Sequence, residues 1–190
     1  MKDSPILIIN GSPREGGNTD TILEKLIEGA QSTDLNPWYV KLRDLNIANC
    51  IACCTCKDEG KCHFNDDMTR MREWIENSRL MIFASPIYWC EITGLMKTFI
   101  DRLYFYHHPQ NSSLLATKKS LIVTTMGEEE NVDYESQVLV EFYRRIFKSL
   151  KVTIVDMLFF SGLMGKEDIF RKPEYLEEAF DKGKRLKEML

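Results

Sequence analysis

Five of the six cysteines in this chain of 190 residues lie close together in the sequence. Four of them follow the spacing Cys50-x2-Cys53-x2-Cys56-x5-Cys62, and Cys54 is an additional thiol. Such short spacings allow several thiolates to converge on one small object. Iron–sulfur clusters and structural zinc sites both commonly use four thiolates. An array that binds neither would be a set of free, oxidisable thiols. The residues alone leave these three alternatives open.

A polar, glycine-rich loop follows the first aliphatic run of the chain. The run Ile6-Leu7-Ile8-Ile9 continues into Asn10-Gly11-Ser12-Pro13-Arg14-Glu15-Gly16-Gly17-Asn18-Thr19, which precedes a segment with helical spacing. Glycines let backbone N–H groups point at a ligand, and the N-terminus of a helix favours an anion. The loop therefore predicts a phosphate site. It lacks the Gly-Lys-Ser/Thr ending of a triphosphate-binding loop and the G-x-G-x-x-G spacing of a dinucleotide fold.

Aromatic and apolar residues follow another strand-like run, where a polar loop would be ordinary. The segment Ser85-Pro86-Ile87-Tyr88-Trp89-Cys90 is predicted to be a loop after that strand. Two aromatic rings and a proline can border a flat heteroaromatic ring. Taken alone, the same residues could simply cover the end of a sheet. Next to a phosphate site, they indicate a site for a mononucleotide.

Alternating strand-like and helix-like segments position these groups. Apolar runs predict strands at 6–9, 38–42, 80–84, 121–125 and 152–158, and a closing helix is predicted over Glu174 to Leu190. This alternation implies right-handed crossovers and a parallel sheet covered on both faces. We predict an α/β fold, a flavodoxin-like three-layer sandwich with a five-stranded parallel sheet of order 2-1-3-4-5, with the strand order of a nucleotide-binding fold as the second choice. Ligands in such sheets bind beyond the carboxyl ends of the strands, so the loops after Asn10, Ala84 and Thr125 should meet.

Composition and charge narrow the class of protein. The apolar fraction of 44% and the charged fraction of 28% are typical of a globular domain. A net charge of −4 argues against nucleic acid as a partner. No apolar run is as long as the roughly 18 residues that a membrane-spanning helix needs, and the N-terminus does not resemble a signal peptide. We expect one domain over 1–190 with a Cys-rich insertion at about 48–65, no membrane partner, and a cytoplasmic location, where thiols stay reduced.

The segments GSPREGGNT, SPIYW and GLMKTFIDR together resemble the NAD(P)H-dependent FMN reductase family of flavodoxin-like flavoproteins, over about Ile6 to Gly127. The resemblance implies FMN as cofactor and NAD(P)H as substrate. It assigns the FMN phosphate to Ser12, Arg14, Asn18 and Thr19, the borders of the isoalloxazine ring to Pro86, Ile87, Tyr88 and Trp89, and a third loop at the ribityl and ring edge to Thr125, Met126 and Gly127. It implies no catalytic side chain, because the chemistry belongs to the flavin.

The activity implied by this resemblance is the passage of reducing equivalents from NAD(P)H through bound FMN to a small acceptor such as a quinone, flavin, azo or nitro compound. Relatives usually work as homodimers or homotetramers. The cysteine spacing also resembles the iron–sulfur flavoprotein branch of the family. That branch implies a 4Fe–4S cluster on Cys50, Cys53, Cys56 and Cys62 and an electron carrier with a ferredoxin-like protein as partner. A thiol-based redox sensor is a third alternative.

Overall fold

Strands and helices alternate along the computed structural model, which describes residues 4–129 and 132–190. The strands in these ranges are β1 (Ile6–Asn10), β2 (Trp38–Lys41), β3 (Leu80–Tyr88), β4 (Glu91–Ile92), β5 (Lys119–Thr125) and β6 (Thr153–Phe160). The α-helices are α1 (Asn18–Gln31), α2 (Thr55–Glu59), α3 (Asp67–Asn77), α4 (Gly94–Arg102), α5 (Pro109–Ser112), α6 (Val132–Leu150) and α7 (Pro173–Lys184). Short 3₁₀ helices occupy Leu42–Asp44, Leu103–His107, Asp168–Arg171 and Leu186–Met189.

Five of the strands form a parallel sheet in the order β2-β1-β3-β5-β6. This confirms the predicted flavodoxin-like fold and its strand order, with β4 as an additional short strand. Asn10 pairs with Ala84, and Pro86 pairs with Thr125. The carboxyl ends of β1, β3 and β5 are therefore neighbours, and the three loops of interest start at one edge of the sheet.

The loop predicted after the third strand is wrong for its first four residues, because β3 continues to Tyr88. Ser85 and Pro86 still pair with β5, and the chain then forms an antiparallel hairpin in which Ile87 pairs with Ile92. The Ser85 hydroxyl fixes the base of the hairpin, since it accepts a hydrogen bond from the Thr93 N–H at 3.1 Å. At the tip, Trp89 and Cys90 have φ values of 49° and 64°. Two-residue hairpin turns need this left-handed backbone, which usually requires Asn or Gly, so the sequence contained no turn signal here.

Both faces of the sheet carry a hydrophobic core. On one face, α3, α4 and α6 bury residues such as Phe83, Phe99 and Phe147, and on the other face α1 and α7 bury Ile22 and Leu26. The predicted closing helix is too long. It ends at Lys184, because the next hydrogen bonds span three residues, as in the bond from the Arg185 N–H to the Lys182 carbonyl. Within 4–129 and 132–190, no helix combines the length and the apolar content needed to cross a membrane.

The Tyr143 side chain carries an unpaired polar atom in the core. Tyr143 is 1% exposed, and its hydroxyl has no hydrogen-bond partner among the described residues. Burial raises the pKa of this phenol above its ordinary value. An unsatisfied buried hydroxyl costs free energy that a phenyl ring does not. Tyr143→Phe is therefore expected to raise the free energy of unfolding by about 1 kcal/mol in urea titrations.

Tyr106 provides the matched control for this prediction. It is equally buried, but its hydroxyl lies 3.1 Å from a carboxylate oxygen of Glu76. Tyr106→Phe removes that hydrogen bond and is expected to lower the free energy of unfolding by about 1 kcal/mol. Equal destabilisation by the two phenylalanine variants would contradict the prediction.

Candidate functional site

The carboxyl ends of β1, β3 and β5 surround a cavity of about 70 Å³. Nine of the eleven residues that the resemblance assigns to the flavin line it: Ser12, Arg14, Asn18, Thr19, Pro86, Ile87, Tyr88, Thr125 and Gly127. The other two lie elsewhere. Trp89 is 99% exposed at the hairpin tip, and the Met126 side chain is buried in the core. The structure thus brings together three loops that are far apart in sequence.

The first loop and the start of α1 have the properties of a phosphate site. The Gly11 N–H donates to the Ala84 carbonyl at 2.8 Å, and a Cβ at Gly11 would lie 2.8 Å from the Met96 Cβ, so a larger residue does not fit there. Gly17 caps α1 without a side-chain hydrogen bond. The N–H groups of the first turn are therefore left for an external acceptor, as at anion-binding helix N-termini. These residues fit a phosphate group.

Hydroxyl groups join two of the loops across this cavity. Thr19 Oγ1 and Thr125 Oγ1 are 2.8 Å apart, and both residues are buried. Ser12 is 2% exposed, and its Oγ accepts a hydrogen bond from the Arg14 N–H at 3.2 Å. Hydroxyls can both donate and accept, so this set can turn its donors towards an anion. The predicted phosphate role of these residues is compatible with their positions.

The Asn18 side chain holds the segment that follows β6. Its Nδ2 donates to the Leu163 carbonyl at 3.0 Å and to the Gly165 carbonyl at 2.7 Å, and its Oδ1 accepts from the Ile169 N–H at 3.2 Å. Both side-chain N–H groups are therefore engaged. A phosphate contact from Asn18, which stays a prediction, would use its backbone N–H.

Replacing Asn18 tests this bracing role directly. Asn18→Ala leaves two carbonyls and one N–H without their partner, so we expect the free energy of unfolding of the apoprotein to fall by about 2 kcal/mol. Asn77→Ala is the control, because that exposed amide makes one hydrogen bond, to the Glu73 carbonyl, and its loss should cost less than about 0.5 kcal/mol. Urea titrations without flavin measure both. Equal small effects would show that Asn18 braces nothing.

Leu163 and Met164, in the segment after β6, also line the cavity, and the sequence analysis missed them. Met164 is 66% exposed and packs on Gly127, where a Cβ would lie 2.5 Å from the Met164 Cε. The Arg14 Nη1 donates to the Met164 carbonyl at 3.1 Å. The Met164 thioether therefore covers Gly127 at the wall of the cavity. One feature of the sequence could have indicated their role: this segment follows a predicted strand, so it also starts at the carboxyl end of the sheet.

A buried polar network lies under the phosphate loop. The Asn10 Oδ1 accepts from the Ser12 N–H at 2.8 Å, and the Asn10 Nδ2 donates to the Asp20 Oδ1 at 2.6 Å. Asp20 accepts from the Gly16 N–H at 2.9 Å. Arg43 donates to both Asp20 oxygens, at 3.0 and 2.6 Å, and to the Ser12 carbonyl at 3.1 Å. The network therefore fixes the loop at both ends.

The charge of Asp20 is stabilised despite its burial. Burial alone raises the pKa of this carboxyl, but hydrogen bonds from Arg43, Asn10 and the Gly16 N–H outweigh burial and hold the pKa below its ordinary value. The sequence analysis missed both members of the ion pair. An acid in the first turn of a helix suits the helix dipole without any partner, and Arg43 follows a strand at the edge of the sheet.

The five clustered cysteines line a second and larger cavity. It measures about 500 Å³ and is bordered by Cys50, Cys53, Cys54, Cys56 and Cys62 and by apolar side chains of α4 and α6. Among the side chains of 4–129 and 136–190, no three from His, Cys, Asp or Glu are already arranged to hold a metal ion. The thiols therefore share a cavity without converging on one point. Ala52 and Cys54 have left-handed backbone conformations, which bend the Cys-rich segment beside this cavity.

Arg102 fastens both ends of the Cys-rich segment to α4. It is 4% exposed and binds Asp66 with two hydrogen bonds, at 2.6 and 3.0 Å. It also donates to the Ala48 carbonyl at 2.8 Å and to the Cys62 Sγ at 3.3 Å. A guanidinium in this position can balance the negative charge of a thiolate or of a thiolate-ligated cluster. The clustered thiols and the Arg102 guanidinium therefore fit a thiolate-ligated cluster in their residue types and charge.

The thiols of the segment differ in their environments. Burial, followed by the nearby thiols of Cys62, Cys50 and Cys53, raises the pKa of Cys56. Hydrogen bonds from the hydroxyl and N–H of Thr55 lower the pKa of Cys53. The pKa values of Cys53 and Cys56 thus move in opposite directions.

Comparison with known proteins places this geometry in a family. A family model described as NADPH-dependent FMN reductase matches residues 4–157. The chain is 32% identical over 132 residues to an iron-sulfur flavoprotein of Archaeoglobus fulgidus, covering 69% of this chain and 60% of that protein's length. It is 29% identical over 149 residues to YwqN of Bacillus subtilis, whose name describes an NAD(P)H-dependent FMN-containing oxidoreductase, covering 75% of this chain and 76% of YwqN.

A solved structure supports the fold assignment independently. The NAD(P)H:quinone oxidoreductase from Methanothermobacter marburgensis superposes with a TM-score of 0.75 at 18% identity, covering 95% of this chain and 98% of that one. At this identity the likeness concerns the fold alone. The family model matches residues 4–157, which is most of the chain and includes the loops that follow β1, β3 and β5. The chain belongs to the NADPH-dependent FMN reductase family.

Proposed function

We propose that the chain is an FMN-dependent oxidoreductase that takes reducing equivalents from NAD(P)H and delivers them to a small acceptor, such as a quinone, flavin, azo or nitro compound. One observation carries the proposal. Nine of the eleven residues that the motifs assign to a flavin line one cavity at the carboxyl ends of β1, β3 and β5. This is the place where parallel sheets of this topology bind nucleotides. Membership of the family supports the same cofactor.

The residues would divide the work of binding between two ends of the cofactor. Ser12, Thr19 and the N–H groups at the start of α1 would hold the phosphate, and Arg14 would add a positive charge. Pro86 to Tyr88 would border the ring. Bound FMN supplies the hydride chemistry itself, so the protein contributes orientation and charge. We extend the proposal to a homodimer or homotetramer, in which Trp89, 99% exposed here, would be covered.

Reconstitution with FMN tests this proposal. We expect the purified chain to bind one FMN and its visible bands to bleach when NADH or NADPH is added without oxygen. Arg14→Gln is expected to weaken FMN binding about tenfold, because it removes a charge beside a phosphate. Arg145→Gln is the control, since Arg145 is exposed and pairs with Glu141 on α6. A chain that binds no FMN, or a bound FMN that neither nucleotide reduces, would overturn the proposal.

A second candidate function is that of an iron–sulfur flavoprotein, an electron carrier with a 4Fe–4S cluster beside FMN. The observation in its favour is that Cys50, Cys53, Cys56 and Cys62 line one cavity next to the Arg102 guanidinium. The name of the Archaeoglobus fulgidus relative points the same way. Such a cluster would let electrons leave one at a time, to a ferredoxin-like partner.

Anaerobic iron and sulfide analysis distinguishes this candidate from an FMN-only protein. A cluster predicts about four irons per chain and a broad visible absorbance beneath the flavin bands. Cys53→Ser should lose both signals. Cys54→Ser is the matched control, because its thiol lines the same cavity but is outside the proposed ligand set. Iron-free protein after anaerobic reconstitution, or equal loss of iron in both variants, would contradict this assignment.

A further inference from the structure

We propose that the buried ion pair of Asp20 and Arg43 is a positioning and charge-balancing pair that makes the site selective for a phosphorylated flavin over riboflavin. This inference rests on the proposed function, because it concerns the same cofactor. It assigns a role to two residues outside the three binding motifs. Neither residue lines the cavity, so both act through the phosphate loop.

The pair is connected to the loop through backbone groups on both sides of Arg14. Asp20 accepts from the Gly16 N–H at 2.9 Å, and Arg43 donates to the Ser12 carbonyl at 3.1 Å. Asn10 also links Asp20 to the loop, because its side chain accepts from the Ser12 N–H and donates to Asp20. The loop conformation thus depends on the pair. Arg43 lies in the 3₁₀ helix that follows the edge strand β2, and Tyr39 of β2 accepts a hydrogen bond from the Asn10 Nδ2 at 2.8 Å.

The charges of the pair matter because of where they lie. Asp20 is in the first turn of α1, close to the N–H groups that would bind a phosphate, and its side chain is 2% exposed. A phosphate monoester carries about −1.5 to −2 charges at neutral pH. An uncompensated Asp20 carboxylate would repel it with little screening by solvent. The Arg43 side chain, 12% exposed, supplies the compensating charge, and Lys41 lies farther away, at 3.9 Å from Asp20.

A charge-balancing role and a purely structural role of the pair predict different flavin affinities when Asp20 or Arg43 is neutralised. Arg43→Gln leaves a negative charge under the phosphate, and Asp20→Asn leaves a positive one. The ratio of the riboflavin Kd to the FMN Kd should therefore fall about tenfold in Arg43→Gln and rise in Asp20→Asn. The double variant should return towards the wild-type ratio. If the pair only shaped the loop, the ratio would fall in all three variants, because each one disturbs contacts that hold the loop.

Flavin fluorescence titrations of the apoprotein with FMN and with riboflavin measure this ratio. Arg43→Lys keeps the charge and loses the two-pronged contact, so it should weaken FMN binding while keeping the ratio within about twofold of wild type. Arg145→Gln, remote and exposed, should change neither Kd. Melting temperatures identify any variant that fails to fold. If Arg43→Gln does not fold, Arg43→Lys and Asp20→Asn still distinguish the charge-balancing role from a purely structural one.

The outcomes separate this inference from the proposed function. A wild-type chain that does not bind FMN overturns the proposed function. Wild-type binding with a ratio that is unchanged in Arg43→Gln, or that falls equally in Arg43→Gln and Asp20→Asn, overturns the charge-balancing role alone. Opposite changes in the two single variants, with recovery in the double variant, establish it.

Discussion

Replacing Gly29 with alanine is expected to lower the free energy of unfolding by about 3 kcal/mol, one of the two largest effects that the structure predicts. At this position α1 crosses α7 so closely that a Cβ would lie 2.0 Å from the Phe180 carbonyl oxygen. That atom belongs to the backbone of α7 and cannot rotate away. The helices have to separate, and overpacking of this kind costs about 1–3 kcal/mol or more.

The contact is reciprocal, which gives the prediction a second test. A Cβ at Gly183 would lie 2.1 Å from the Leu26 carbonyl oxygen of α1, so Gly183→Ala should be destabilising to a similar extent. Gly94→Ala is the control. Gly94 is also helical, but its added Cβ would meet nothing within 4 Å, and alanine suits a helix better than glycine. Urea or thermal unfolding of the three variants measures whether Gly29→Ala and Gly183→Ala lose more stability than Gly94→Ala. A loss in Gly94→Ala as large as in Gly29→Ala would contradict it.

The parts of the fold that were predictable from sequence are those that local patterns determine. The runs of aliphatic residues at Ile6 and Leu80 are buried on both faces of the sheet, and such runs are typical of central parallel strands. Once five strands alternate with helices, topology places their carboxyl ends together. Each binding loop is short and continuous in sequence. For these reasons nine of the eleven proposed flavin residues could be assigned to one cavity in advance.

The parts that could not be predicted depend on pairs of residues that are distant in sequence. Asp20 and Arg43 are ordinary charged residues until the fold places them in contact. The same is true of Asn18 and the segment after β6. The hairpin at Trp89 and Cys90 uses left-handed backbone without glycine, and no local propensity predicts that. Tertiary contacts decide each of these features, so a single sequence carries little sign of them.

Arg102 is the second position at which one substitution should have a large effect. Arg102→Leu removes every bond between the guanidinium and Asp66, Ala48 and Cys62. The Asp66 carboxylate, 11% exposed, would then keep its hydrogen bonds from the N–H groups of Ala48 and Met68 but lose the positive charge of Arg102. Breaking a buried ion pair from one side costs about 3–5 kcal/mol. We expect a loss of that size in urea titrations, together with faster alkylation of Cys62, because the segment is no longer tied to α4.

Lys97 on the same helix provides the control for Arg102. Its ion pair with Asp101 is exposed at both ends, 48% and 45%, and such pairs contribute about 0–1 kcal/mol. Lys97→Met should therefore change the stability little and leave the alkylation of Cys62 as in the wild type. The double variant Arg102→Leu/Asp66→Asn should recover part of the loss, because it also removes the unpaired charge. If Arg102→Leu behaves like Lys97→Met in both measurements, the Cys-rich segment is held by its apolar contacts and not by this ion pair.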